Sequence, residues 1–210
     1  MPFLAPGRHA ELFKERYEVV RILGAGKFAD AALVKSLWDE KLYVAKTNKE
    51  KKYENSAVEM HAMLKLDHIS KIEMKESFWH PSEDCFIMIN HFCSYGSLAS
   101  QIKTRIEART RLRDRFPENL VRICLFDIAS CLKHMKDEGW VHLNINPDNV
   151  LISEDGYFKV NNFGTSLILD DHEQVLTHKI GQHQPPEKRI GYFTDIYGLG
   201  VTIYALCQIN

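Results

Sequence analysis

Apolar and polar positions alternate in short runs through the first half of the chain and recur at helical spacing through the second. Residues 17–23, 31–38 and 41–47 read as strands, punctuated by glycines and the polar turn Asp39-Glu40. Residues 53–66 suit a helix, with Val58, Ala62 and Leu66 at i, i+4 and i+8 and Met63 beside them. Two further strands follow at 71–79 and 85–90, joined by the turn His80-Pro81-Ser82-Glu83-Asp84. Pro117 then stands where it can open a helix. Leu120, Cys124, Ile128, Cys131, Leu132 and Met135 form its apolar stripe, and Gly139 ends it. A short hairpin, 149–152 with 157–160, surrounds Asp155-Gly156. A last helix begins near Asp195, and its apolar stretch 196–207 reads as buried, too short and too glycine-interrupted to span a bilayer. The pattern predicts an α+β fold: a β-rich lobe, then an α-rich lobe, with a connection near residues 91–95. A cleft between such lobes is a common place for a ligand.

Composition narrows the classes. The chain has 210 residues, enough for one large domain or two small lobes. Formal net charge is −1, so no global field favours nucleic acid or an anionic membrane. Five cysteines without a CxxC read as free thiols of a reducing compartment. His172, His178 and His183 are the nearest approach to a histidine cluster, but their spacing fits no zinc motif. The first residues lack the pattern of a signal peptide, which makes the expected address cytoplasmic or nuclear. The basic run Lys103, Arg105, Arg109, Arg111, Arg113, Arg115 is interleaved with Glu107 and Asp114 and reads as a solvated face.

Several short constellations carry chemistry. Gly24-Ala25-Gly26 lies between two strands, where glycines let backbone N–H groups approach phosphates. Lys46 closes Tyr43-Val44-Ala45-Lys46 on a strand, and Glu59 follows on a helix. Later come Tyr95-Gly96-Ser97-Leu98, then His142-Leu143-Asn144-Ile145-Asn146-Pro147-Asp148-Asn149, Asn162-Phe163-Gly164, Pro186-Glu187 and Asp195-Ile196-Tyr197-Gly198. In this order the pieces resemble the eukaryotic protein kinase family over residues 17–210, and the segment after the connection resembles the NIMA-related (NEK) kinases.

The resemblance implies a bilobal kinase-like fold: an arm at 1–16, an antiparallel N-lobe at 17–90, a hinge at 91–95 and a helical C-lobe at 96–210. That lobe is expected to end after the helix begun near Asp195, leaving an apolar helix partly open. It also implies ATP as ligand, held by Gly24, Gly26, Val44, Lys46, Glu59 and Leu151, with Ala31 beside Val44 in the adenine slot. Asn90 falls just before the hinge, where the family is apolar or Thr, and a buried amide there needs a partner.

The departures fall on the transfer step. Asn144 stands where H-R-D-L-x-x-x-N has the catalytic Asp, and Asn162 stands where D-F-G has the metal-binding Asp. Asn146 replaces the lysine that supports the transferred phosphate, leaving no intact catalytic set. Asn149, the other metal ligand, persists, but two amides are a poor magnesium site. Leu143 replaces the arginine that would hold a phosphorylated loop. The stretch ending Gly181-Gln182-His183-Gln184-Pro185-Pro186-Glu187 lacks the family's substrate-seating threonine. His142, Phe163 and Met63 match residues that stack in the family's core. The expectation is therefore a catalytically impaired, NEK-like pseudokinase acting as scaffold or allosteric partner. Its expected partner is a protein, an active kinase or one that covers the open C-lobe, with neither nucleic acid nor membrane. The alternatives are a weakly active kinase with non-standard metal and base usage, and an ATP-responsive switch without catalysis.

Overall fold

The structure, a computed structural model, describes residues 13–25, 29–48, 53–80, 85–108, 116–169, 174–175, 185–186 and 189–208. The chain divides into two compact units, one formed by the residues up to Ala57 with Glu73–Phe92, the other by Val58–Ile72 with the residues from Cys93 on.

The first unit is a five-stranded antiparallel sheet. Its strands are β1 (Tyr17–Ala25), β2 (Ala29–Ser36), β3 (Leu42–Asn48), β4 (Met74–His80) and β5 (Cys85–His91), in the order β1-β2-β3-β5-β4. Alternation along each strand sorts side chains between two faces. One face carries Ala32, Val34, Tyr43, Ala45, Ile87 and Ile89, which pack with Tyr17 and Phe78 into a core. Phe13 joins them from a helical turn at 13–16, stacked on Tyr17 at 5.7 Å and edge-on to Phe78 at 6.1 Å. The last residues of the expected arm are thus part of this core. Trp38, expected to end a strand, instead lies in the turn and is 93% exposed. Asp39 organises that turn, accepting from the Lys41 N–H, the Tyr43 hydroxyl and the Lys75 ammonium. The Lys75 contact holds its carboxyl well below the usual range. The turn expected after His80 falls at 81–84, outside the described residues.

The second unit takes α1 (Tyr53–Lys65) from Val58 onward, then α2 (Leu98–Ala108), α3 (Glu118–Asp137) and α4 (Tyr192–Cys207). Between them lie the short strands β6 (Trp140–Val141), β7 (Val150–Ile152), β8 (Phe158–Val160), β9 (Leu167–Ile168), β10 (Gln174–Val175) and β11 (Arg189–Ile190). α3 opens after Pro117 and ends before Gly139, whose φ of 77° suits a residue without Cβ. Cys124, Ile128, Cys131, Leu132 and Met135 are buried as the stripe predicts, and Leu120 is half-buried. Asp127 lies in the same stripe, where its carboxylate accepts the Phe158 N–H at 2.9 Å. Strand pairs β6–β9 and β10–β11 are two residues long, too short to carry an alternation signal.

α4 starts earlier than the expected position near Asp195. It begins at Tyr192 and buries Thr194, Asp195, Gly198, Leu199, Thr202 and Leu206, while Ile196, Tyr197 and Tyr204 are exposed. Its apolar stretch is therefore not buried on all sides among the described residues. Cys93, Cys124, Cys131 and Cys207 are free thiols. Burial pushes Cys124 and Cys131 up to about 12. His172, His178 and His183 lie outside the described residues. No described helix is long and apolar enough to cross a membrane.

Candidate functional site

The loop from His142 to Asn149 is fixed by α4 of the same unit. The buried carboxylate of Asp195 accepts the His142 N–H at 2.7 Å and the Leu143 N–H at 2.8 Å. Burial pushes its carboxyl up to about 7, opposed by these two backbone bonds. Leu143 takes φ 66°, an uncommon conformation for a branched side chain. Its side chain compensates by packing into a buried cluster with Val141 and Ile190, flanked by Leu167 and Leu169. The family's loop-binding arginine position is thus occupied by core.

His142 is fully buried and lies edge-on to Phe163, ring centroids 4.9 Å apart. Its ring sits 3.1 Å from the Asn161 carbonyl through Nε2, and its Nδ1 faces the Asn144 N–H at 3.3 Å. Only the neutral ring protonated on Nε2 satisfies both. Burial accordingly lowers its pKa from 6.5 to about 4. A depressed folded value means that the unfolded chain binds the proton first. The stability from His142 is therefore complete above pH 6.5 and is lost as pH falls towards 4. A His142→Phe variant should lack this share of the acid-side loss, about 3 kcal/mol. Unfolding curves of both proteins across that pH range measure it as a difference; equal slopes would contradict it.

Four asparagines then form one connected network. Asn146 is buried, and its Oδ1 accepts the N–H groups of Asp148 at 2.9 Å and Asn149 at 3.2 Å, capping the short 3-10 turn Pro147–Asn149. Its Nδ2 donates to the Asn144 carbonyl at 3.1 Å and to Asn144 Oδ1 at 2.8 Å. Asn149 Nδ2 donates to the Asn144 carbonyl at 2.8 Å. Asn162 Nδ2 donates to Asn149 Oδ1 at 3.2 Å. The position expected to support a phosphate is thus a structural cap, a role readable from Asn before Pro. Asp148 is exposed and lines a trough of about 440 Å³ with Ala99, Ile102 and Ile106 of α2 and Val201 and Ala205 of α4.

These residues do not fit a divalent cation. Magnesium selects charged oxygen in strict octahedral geometry. Here both ligand positions are neutral amides, and the Asn149 oxygen already accepts an amide N–H. Among the described residues no group of three or more His, Cys, Asp or Glu could hold a metal.

The expected nucleotide residues are spread over both units. In the first, registers Ala31↔Lys46, Leu33↔Val44, Lys46↔Met88 and Val44↔Asn90 put these side chains on the sheet face opposite the core. Gly24 pairs with Ala31, and a Cβ on it would meet nothing within 4 Å. Gly26 lies outside the described residues. Asn90 is buried, and its Oδ1 has no partner among the described residues. In the second unit Glu59 is buried on α1, and Leu151 is half-buried on β7 beside Ser97, with which it forms a bridge. The stretch expected to lack the substrate-seating threonine lies largely outside the described residues.

The protein kinase domain family matches residues 17–210, nearly the whole chain. The chain belongs to the protein kinase family. It is 27% identical to a probable protein kinase of Dictyostelium discoideum over 97% of this chain and 59% of that protein. It is 27% identical to mouse serine/threonine-protein kinase Nek1 over 93% of this chain and 16% of Nek1. It is 26% identical to mouse Nek4 over 92% of this chain and 25% of Nek4. The chain thus spans between 16% and 59% of the length of these relatives. It is a NEK-like kinase domain, with an antiparallel sheet in one unit and helices dominating the other. Kinases of this fold in general use ATP and Mg²⁺. The motifs locate Asp195 and His142, but the loop clamp of the one and the single tautomer of the other follow only from their hydrogen-bond partners.

Proposed function

We propose that this kinase domain is non-catalytic and works as a scaffold or allosteric partner. The observation that carries the reading is the Asn144–Asn146–Asn149–Asn162 network, in which amides bond to one another where transfer needs a base and a metal. An amide accepts no proton near neutral pH, and lost general-base assistance alone removes on the order of 10²–10⁴ in rate. The exposed Ile196, Tyr197 and Tyr204 of α4 and the trough beside Asp148 support a protein as partner.

With radiolabelled ATP, Mg²⁺ or Mn²⁺ and generic protein substrates, the purified chain should transfer no phosphate above a Lys46→Ala control. The Asn144→Asp/Asn162→Asp double variant should stay at the same background, because Asn146 remains a buried cap. Lys46-dependent transfer by the wild type would overturn the reading. Retention of the Ala31, Val44 and Lys46 face favours a second reading, an ATP-responsive switch without catalysis. Under it ATP raises the melting temperature by the same amount with and without Mg²⁺, since a ligand selective for the native state stabilises it.

A further inference from the structure

The asparagine network is ordered, not merely uncharged. Asn162 adopts φ 70°, ψ 65°, a left-handed conformation that Asn tolerates better than most residues. It leads into the 3-10 turn Phe163–Thr165, whose Phe163 is fully buried against His142. Its Nδ2–H meets Asn149 Oδ1, and Asn149 spends its own Nδ2–H on the Asn144 carbonyl. Turning the Asn149 amide over would put its oxygen against that carbonyl and its nitrogen against the Asn162 nitrogen. The bond to the Asn144 main-chain carbonyl therefore fixes the Asn149 amide, and the Asn149 oxygen in turn selects the donor side of the Asn162 amide.

We infer that Asn162 is a positioning residue that stands in for a cation: its side-chain N–H ties the Phe163–Thr165 turn to the Pro147–Asn149 turn with no ion between them. The inference rests on the non-catalytic reading and deepens it. A metal-binding pair would place two oxygens towards one another and need a positive charge between. Here one of the two opposed atoms is itself the donor, at 3.2 Å. A carboxylate at position 162 would set acceptor against acceptor, and Asn149 could not turn to relieve it without losing its bond to Asn144.

Thermal unfolding of the whole chain in chelator and in Mg²⁺ or Mn²⁺ tests this. The wild type should melt at the same temperature in all three. Asn162→Asp should melt roughly 3–6 °C lower in chelator and recover when either cation is added, because an ion can then bridge the two oxygens. Asn162→Ala should lose roughly 2–4 °C and gain nothing from cations. A purely structural role would not produce this split between the two variants. Should Asn162→Asp fail to fold, the wild type and Asn162→Ala still decide: Mn²⁺ should leave the side-chain amide resonances of Asn149 and Asn162 unbroadened in the wild type. Selective broadening there, or an Asn162→Ala protein as stable as wild type, overturns the inference. An Asn162→Asp protein indifferent to chelator and cation sinks this inference alone, whereas phosphate transfer by the wild type sinks the non-catalytic reading.

Discussion

Replacing Asp195 by alanine should release the 142–149 loop and cost on the order of 3–5 kcal/mol, a fall of roughly 10 °C in melting temperature. The carboxylate receives two buried backbone N–H groups, from His142 and Leu143. Alanine leaves both without a partner, and each orphaned donor carries the full desolvation penalty of about 1–3 kcal/mol. The loss also frees Leu143 to leave its left-handed backbone conformation, which persists only while its surroundings over-determine it. Asn at 195 keeps one acceptor and should fall between the two. Chemical denaturation of the three proteins orders them; an alanine variant as stable as the asparagine variant would show that the two N–H bonds do not set the effect.

A second large effect is expected one turn further along α4. A Cβ on Gly198 would lie 2.7 Å from the Ile145 carbonyl oxygen and 3.0 Å from its Cβ. The obstructing atom is backbone of the loop itself, so it cannot swing aside. Gly198→Ala should therefore destabilise by about 1–3 kcal/mol despite the better helix propensity of alanine. Gly200 lies two residues on, where a Cβ would meet nothing within 4 Å. Gly200→Ala should stabilise by up to about 1 kcal/mol. Opposite signs at two glycines of one helix separate contact from propensity, and like signs in thermal unfolding would refute the close packing.

Much of the frame was legible from the chain. The sheet follows alternation, and α3 follows its stripe, because burial on one face imposes a period. Asp127 escaped notice because a lone acid within an apolar stripe looks like an exception, until Phe158 supplies the N–H that it accepts. The stretch 196–207 reads as buried from its apolar side chains alone, and as partly open only from the resemblance. Apolarity states what a side chain favours, not whether a neighbour is there to cover it, and Ile196 and Tyr204 remain exposed. At the loop, the resemblance located all four asparagines, giving Asn144, Asn146 and Asn162 the places of the residues they replace and Asn149 its family place. Their real partners are one another, because short amides satisfy one another within hydrogen-bonding reach.

The Leu143 cluster has a thermodynamic consequence. An arginine at this position would hold a phosphorylated loop by charge, and that hold would weaken with salt and vanish with dephosphorylation. Leu143 instead anchors its own segment by apolar area shared with Val141 and Ile190. Such a contact carries a heat-capacity signature in place of an ionic one: it weakens on cooling and has no charge for salt to screen. Temperature, rather than ionic strength, is therefore the variable that tunes the contact at Leu143.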